Sequence, residues 1–553
     1  MPTFKLDGQE IPFEDGDTVL RAAWRNGIEI PHYCWHPGLS VAANCRICLV
    51  EIKSGRVPQM PVLQWDPAKN DYISVTKPKL QPACQQQVQE GMEVESKSEH
   101  VLDAQKAVQE FLLLNHPVDC PICDQSGECK LQDYWLEHQQ ELKRKTSEPV
   151  HKPKGVRFGP TIVYDAERCI MCTRCIRVCD ELVGDHVLDM RERGNRNEIV
   201  LAPGRELDHD YTLMTEHVCP VGALTSRDFR FKARVWFLKS APGVCTGCAT
   251  GCNDWVDHDP RYNRVYRLRP RDNADVNKFW MCDDGMMTYK RVHEGRVLSS
   301  LVGRGEGRTP MPYETSIELA AKRFADADPG KTAVVLSAQH PTEDVYAVAR
   351  LARETLGTER AFLAALPDWK GDDILRHPDQ NPNRAGAIAA AEHVFGRPPA
   401  PLRELPDLVA SGEVDTVLAL GFASSEGAEA LAPLAEAATV VHLTSNLGPL
   451  SEVANLVIPV ASFAEMTGTF TNAQGRKQRF SRAIPATAGV RPAWETVAAI
   501  ARAMGGELPE LANVDQVRKA LRGLVQPTER GERPAAGAED SSEGAGAPAQ
   551  GAA

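Results

Sequence analysis

Sixteen cysteines, every one of them before residue 283, constrain this 553-residue chain more than any other feature. They fall into groups: Cys34, Cys45 and Cys48 with Cys84; Cys120, Cys123 and Cys129; Cys169, Cys172, Cys175 and Cys179 with Cys219; Cys245, Cys248 and Cys252 with Cys282. An even count is compatible with disulfides, but Cys-x-x-Cys pairs in a reducing compartment more often hold metal or do redox chemistry. The start, Met1 to Gly8, mixes Lys5 and Asp7 with single apolar residues and has no apolar signal core, so a cytosolic chain is expected. No apolar run approaches the roughly 18 residues of a spanning helix, so membrane association is expected only through a partner. A net charge of -12 leaves no basic footprint for nucleic acid.

In the first group, Phe4 to Gln9 reads as strand and turn and Thr18 to Asn26 as a short helix. A C-x2-C pair with the remote Cys84 matches the plant-type ferredoxin arrangement for a 2Fe-2S cluster, except that ten residues rather than four separate Cys34 from Cys45. A four-Cys zinc site is the competing reading. In the second group His116 stands before Cys120, Cys123 and Cys129, after a periodic segment from Glu99 to Leu114. There Val101, Leu102, Ala104, Val108, Phe111 and Leu112 share a face, Ser96 and Glu99 have capping-box spacing, and Pro117 closes the helix. Three thiolates leave one cubane corner open, which His116 can fill; a neutral imidazole in place of a thiolate should raise the potential. In the third group, two ferredoxin clusters would need eight thiolates and only five exist. One 4Fe-4S cluster is therefore expected on Cys169, Cys172, Cys175 and Cys219. Cys179, followed by Asp180 rather than Pro, is read as a free thiol packed like a small hydrophobe, with a ligand role as the alternative.

These motifs carry a resemblance. Ile30-Pro31-His32-Tyr33-Cys34 and Cys45-Arg46-Ile47-Cys48-Leu49-Val50-Glu51 are similar to the ferredoxin domain of respiratory complex I large subunits, iron-only hydrogenases and NAD-linked formate dehydrogenases. The set of His116 and three Cys resembles the same families. Cys245-x2-Cys248-x3-Cys252 with Cys282 resembles the cluster domain at the front of molybdopterin oxidoreductases, which implies a further 4Fe-4S cluster on those four thiolates. In active molybdenum enzymes a basic residue commonly follows the last Cys; here Asp283-Asp284-Gly285 puts two acids where a cation is wanted. Beyond about residue 295, strand-like runs at Ala333 to Ala338, Thr416 to Gly421, Thr439 to Thr444 and Asn455 to Val460 alternate with helical patterns, which argues for a buried parallel sheet. Gly303-x-Gly305-x-Gly307 lacks dinucleotide-binding spacing and reads as a surface loop. Asn381 to Gly386 and Glu465 to Asn472, continuing through Gly475-Arg476, resemble the molybdopterin-type domain of complex I large subunits. Without a Cys, this region is expected to be a retained scaffold with no molybdopterin.

An iron-only hydrogenase would need more cysteines after Cys282, and a formate dehydrogenase an intact pterin domain with a metal ligand. The resemblance therefore implies the electron-relay subunit of NADH:quinone oxidoreductase, with a zinc-stabilised scaffold as the alternative. The expected fold is multidomain α+β and α/β: a 2Fe-2S ferredoxin domain of β-grasp type (1–96), a helical 4Fe-4S domain with one His and three Cys (97–145), a 4Fe-4S ferredoxin-like domain (146–236), a 4Fe-4S domain of molybdopterin-oxidoreductase type (237–294), a shortened molybdopterin-type α/β domain (295–526) and a disordered tail (527–553). One 2Fe-2S and three 4Fe-4S clusters make about fourteen irons. Family likeness further implies partners that bind FMN and NADH on one side and lead to quinone on the other, a peripheral place on the cytoplasmic side of the membrane, coupling in the complex to proton translocation, and a fourth cluster off the main path. No catalytic residue and no NADH or quinone site is expected in this chain.

Overall fold

The computed structural model describes residues 1–138, 148–422, 424 and 426–528, so residues 529–553 of the expected disordered tail lie outside the described residues. No helix among the described residues is long and apolar enough to cross a membrane. The chain forms two compact units, Met1–Phe237 and a second that begins at Leu238.

In the first unit, strands Thr3–Leu6 and Gln9–Pro12 pair antiparallel across a turn in which Asp7 and Gly8 both have positive φ. Thr3–Leu6 runs parallel to Glu93–Glu95, and Leu49–Ile52 and Gln81–Pro82 complete a five-stranded mixed sheet. Helix Val19–Arg25, capped by the Thr18 hydroxyl, shares one core with it: Val19, Leu20 and Ala23 are buried with Phe4, Leu6, Ile11 and Val50. The hairpin Gln59–Asp66 with Asp71–Pro78 forms a ladder of its own.

The helix after the sheet, Glu99–Leu113, corrects the sequence expectation twice. Its cap is Ser98, whose hydroxyl accepts from Val101 N, while Ser96 is held by Asp7 instead. Its buried face is Val101, Gln105 and Gln109, and Phe111 is 71% exposed. Gln109 can sit inside because its amide is satisfied at both ends, accepting from Tyr33 Oη and donating to Leu131 O at 2.9 Å. Farther on, Leu224–Ser226, Ile162–Tyr164 and Val156–Arg157 form a three-stranded sheet, and Leu188–Arg191 pairs with Glu198–Leu201.

The second unit opens with an antiparallel sheet of Lys239–Val244, Asn253–Asp259 and Arg264–Pro270. An eight-stranded sheet follows, in the order Thr309–Met311, Ser300–Val302, Leu456–Pro459, Thr439–Thr444, Thr416–Leu420, Thr332–Ser337, Ala361–Ala364, Ala400–Pro401. The last six are parallel, as continuous apolar runs buried on both faces require. Four of the parallel strands match the apolar runs; Ala361–Ala364 and Ala400–Pro401 are too short to stand out. Helices Thr342–Glu354, Arg384–Phe395 and Ala493–Ala503 bury Val345, Val348, Leu351, Ala387, Ala391 and Val497 in the same core as Val334, Leu336 and Leu418. Gly303 to Gly307 lies in the connection between the two antiparallel edge strands, with Gly305 and Gly307 exposed.

Candidate metal centres

The third group is the most fully assembled. Cys169, Cys172, Cys175 and Cys219 line one cavity, walled by Tyr164, Ile170, Ile199, Val221 and Leu224. Three of the thiols come from the loop and first turn leading into helix Arg174–Arg177, where Met171 and Thr173 take positive φ to fold the chain back on itself. The fourth follows helix Thr212–His217. Burial pushes the Cys169 thiol up to about 11 and raises Cys172, Cys175 and Cys219, so the metal-free sulfurs stay protonated and a metal must displace those protons. Cys179 is fully buried, does not line the cavity, and lies 3.5 Å from His209 Nε2.

The first group closes on the loop after helix Val19–Arg25. Cys34 and Cys45 share a hydrogen bond, which lowers the Cys34 thiol and raises that of Cys45. Cys48 is hydrogen-bonded to Cys84, and Cys48 feels the charge of Cys34, so all four thiols are neighbours. Cys34, Cys48 and Cys84 are buried.

In the second group, Cys123 and Cys129 interact, and Cys120 lies beside Cys123 but is exposed. His116 is half-buried, and desolvation, with Arg168 adding to it, pulls its imidazole down to about 4. Its Nδ1 is buried without a hydrogen-bond partner. Gly222 packs against this group: a Cβ there would stand 2.2 Å from Cys123 Sγ. Lys130 N donates to Pro220 O at 3.0 Å, so the segment that delivers Cys219 to the third group also backs the second.

In the fourth group all four cysteines are buried and interact. Cys245 and Cys252 flank the turn between two strands, and Cys282 caps helix Asp283–Met287, accepting at Sγ from Gly285 N at 3.4 Å. The two acids do follow Cys282 directly, and cations reach this centre from farther along the chain. Asp284 pairs with Arg376 at 3.6 Å, Arg376 stacks on Trp369 and acts on Cys282, and Arg291 acts on Cys245. These arginines lie 9 and 94 residues beyond Cys282, outside the reach of a local motif. The two segments that resemble the molybdopterin-type domain bond to one another: Thr471 N donates to Asn383 Oδ1 at 2.8 Å, and Asn472 Nδ2 donates to Thr250 O at 3.0 Å in the fourth-group loop.

Among the described residues no three His, Cys, Asp or Glu side chains converge on a single-ion site. The donor chemistry does fit iron-sulfur clusters: sets of four soft thiols, one of them with an imidazole in place of a thiol, largely shielded from water. Sequence reasoning missed Gly222, Arg174 and Arg177. The two arginines had a readable signal, since they interleave with the ligands in Cys172-Thr173-Arg174-Cys175-Ile176-Arg177.

Five family models match in succession: the 2Fe-2S iron-sulfur cluster binding domain at 1–99, the NADH-ubiquinone oxidoreductase-G iron-sulfur binding region at 105–143, the ferredoxin-like domain of NADH-quinone oxidoreductase subunit 3 at 159–225, the molybdopterin oxidoreductase Fe4S4 domain at 238–294 and molybdopterin oxidoreductase at 333–503. The G subunit of NADH-quinone oxidoreductase from Mycobacterium bovis is 34% identical over 372 residues, 66% of this chain and 43% of the relative. The Streptomyces coelicolor protein of the same name is 33% identical over 67% of this chain and 43% of its own length, and that of Rickettsia felis 31% identical over 68% and 52%. The chain thus spans about half the length of the curated relatives it matches. A chain of an NAD+-reducing nickel-iron hydrogenase is 29% identical over 42% of this chain and 91% of its own, with a TM-score of 0.35. By its ordered iron-sulfur domains and these relatives, the chain belongs to the family of NADH-quinone oxidoreductase G subunits.

Proposed function

We propose that the chain is an electron-relay subunit of an NADH:quinone oxidoreductase, receiving electrons from a partner that oxidises NADH at FMN and passing them to cluster-bearing partners that lead to quinone. In the complex this transfer drives proton translocation, and the chain sits on the cytoplasmic side of the membrane through its partners. The ligand sets are Cys34, Cys45, Cys48 and Cys84 for a 2Fe-2S cluster; His116, Cys120, Cys123 and Cys129 for a 4Fe-4S cluster; Cys169, Cys172, Cys175 and Cys219 for another; and Cys245, Cys248, Cys252 and Cys282 for a third. Each set falls in its own domain, at 1–96, 97–145, 146–236 and 237–294, and no molybdopterin is expected in the domain at 295–526.

The observation that carries this reading is the meeting of Cys169, Cys172, Cys175 and Cys219 around one apolar-walled cavity. Such clusters, when bound, take up and release single electrons without bond-making on a substrate. The chain's own work is to hold the sulfurs fixed, keep water out and set the local charge. Contacts within the first unit favour a route from the first group to the third and then the second. Arg177 donates to the carbonyls of both Cys34 and Cys172, and Gly222, three residues after Cys219, abuts Cys123.

Iron, sulfide, zinc and molybdenum analysis with low-temperature EPR on anaerobically purified protein tests the proposal. About fourteen irons with matching acid-labile sulfide is the expected result. Colourless protein with stoichiometric zinc would replace the relay by a scaffold, and stoichiometric molybdenum would replace it by pterin chemistry.

A further inference from the structure

Arg174 and Arg177 stand at the two ends of one single-turn helix, and both are buried, at 8% and 9% exposure. Among the described residues, every hydrogen bond that either side chain makes is to a neutral oxygen. Arg174 donates to Trp35 O at 2.5 Å and to Val218 O at 3.1 Å. Arg177 donates to Cys34 O at 2.5 Å, Cys172 O at 3.3 Å, Ser40 O and the Thr173 hydroxyl. Those carbonyls belong to residues of the first and third cysteine groups or stand beside them. Among the described residues neither arginine has a carboxylate partner, although each is taken out of water.

A buried guanidinium without a counter-ion is strongly unfavourable, so an unpaired couple of them needs negative charge nearby. Thiols that lose their protons on binding metal are in reach: Cys172 and Cys219 act on Arg174, and Arg177 acts on Cys34 and Cys172. Four thiolates around two or four irons leave a net negative centre, and adding an electron makes it more negative still. A fixed positive charge beside it favours the reduced form.

We infer that Arg174 and Arg177 are positioning residues that set the reduction potentials of the first-group and third-group centres together, with Arg177 acting on both and Arg174 chiefly on the third. The two clusters themselves supply the countercharge that the arginines lack. Each reduction adds one electron and no proton, so the effect is one of charge on potential. This inference rests on the proposed ligand sets.

The test is EPR-monitored potentiometry, with dithionite as reductant, on the full chain purified anaerobically with its clusters. Arg177→Gln is expected to lower the midpoints of the 2Fe-2S signal and the third-group 4Fe-4S signal together, each by a tenfold loss in reduction equilibrium or more, about 59 mV for one electron. Arg177→Lys, which keeps the charge, is expected to restore both. Arg174→Gln is expected to shift the third-group signal more than the 2Fe-2S signal. Unchanged midpoints in Arg177→Gln protein with its iron intact would overturn the inference. If Arg177→Gln fails to load iron, Arg174→Gln decides, and an unmoved third-group midpoint overturns it equally. A wild-type chain with neither signal would sink the relay reading instead, so the two failures are distinct.

Discussion

Gly222 is where a single methyl group tests the junction between the second and third centres. Its Cβ would meet Cys123 Sγ at 2.2 Å and Gln125 Cβ at 3.1 Å, so Gly222→Ala must push the sulfur out of place. The strain expected is about 1–3 kcal/mol. Iron content is expected to drop by about four atoms per chain, with the third-group EPR signal retained, because Cys219 itself is not displaced. Loss of the third signal as well would mean that the two groups assemble as one. The ligand sets could be proposed from sequence because spacing along the chain carries them. Gly222, Arg174 and Arg177 act through neighbours up to 143 residues distant: the two arginines show in the sequence as cations between ligands, but nothing local reports which carbonyls they reach or that Gly222 abuts Cys123.

Helix Glu99–Leu113 shows how an element can be legible while its orientation is not. Apolar periodicity located the helix, yet the face it buries carries Gln105 and Gln109; for Gln109 hydrogen bonding outweighs the cost of burying an amide because both its ends are met. Gln109→Leu, an improvement by hydrophobic pattern, is therefore expected to destabilise the protein by about 1–3 kcal/mol, since the buried Tyr33 Oη loses its acceptor. Denaturant unfolding gives the sign directly. The turn Phe463–Glu465 carries a second test. Glu465 is buried, which alone would raise its carboxyl, but Arg296 at 2.7 Å holds it below the usual range. A depressed carboxylate contributes stability above its unfolded pKa and loses it as pH falls through the folded value. Glu465→Ala should thus cost about 3–5 kcal/mol at pH 7, where Arg296 is left buried and alone, and less once acid has neutralised the wild-type carboxylate. Thermal unfolding of both proteins at neutral and acid pH measures the difference, and an equal gap at both would refute the pairing argument.

At the scale of the whole molecule, the order of cysteine groups along the chain differs from their grouping in space. The first three groups lie in Met1–Phe237, where the thiols of the third line one cavity and those of the first are neighbours. The fourth belongs to the second unit, where Gln478 Nε2 donates to Gly251 O at 2.7 Å and Asn472 reaches Thr250, both more than 200 residues along the chain. Sequence composition placed a change of character near residue 295, after the last cysteine, whereas packing divides the chain at Leu238 and gives the fourth group to the cysteine-free sheet. Composition records what residues are, and a boundary depends on which residues they bury against. A chain ending at Phe237 has its own sheets and core, so it should fold and carry about ten irons, with three sets of EPR signals. The complementary piece from Leu238 should carry about four. Were the shorter chain to lose its third-group signal while the intact protein keeps it, the first unit would not be self-sufficient, and the four centres would have to be regarded as one cooperative assembly.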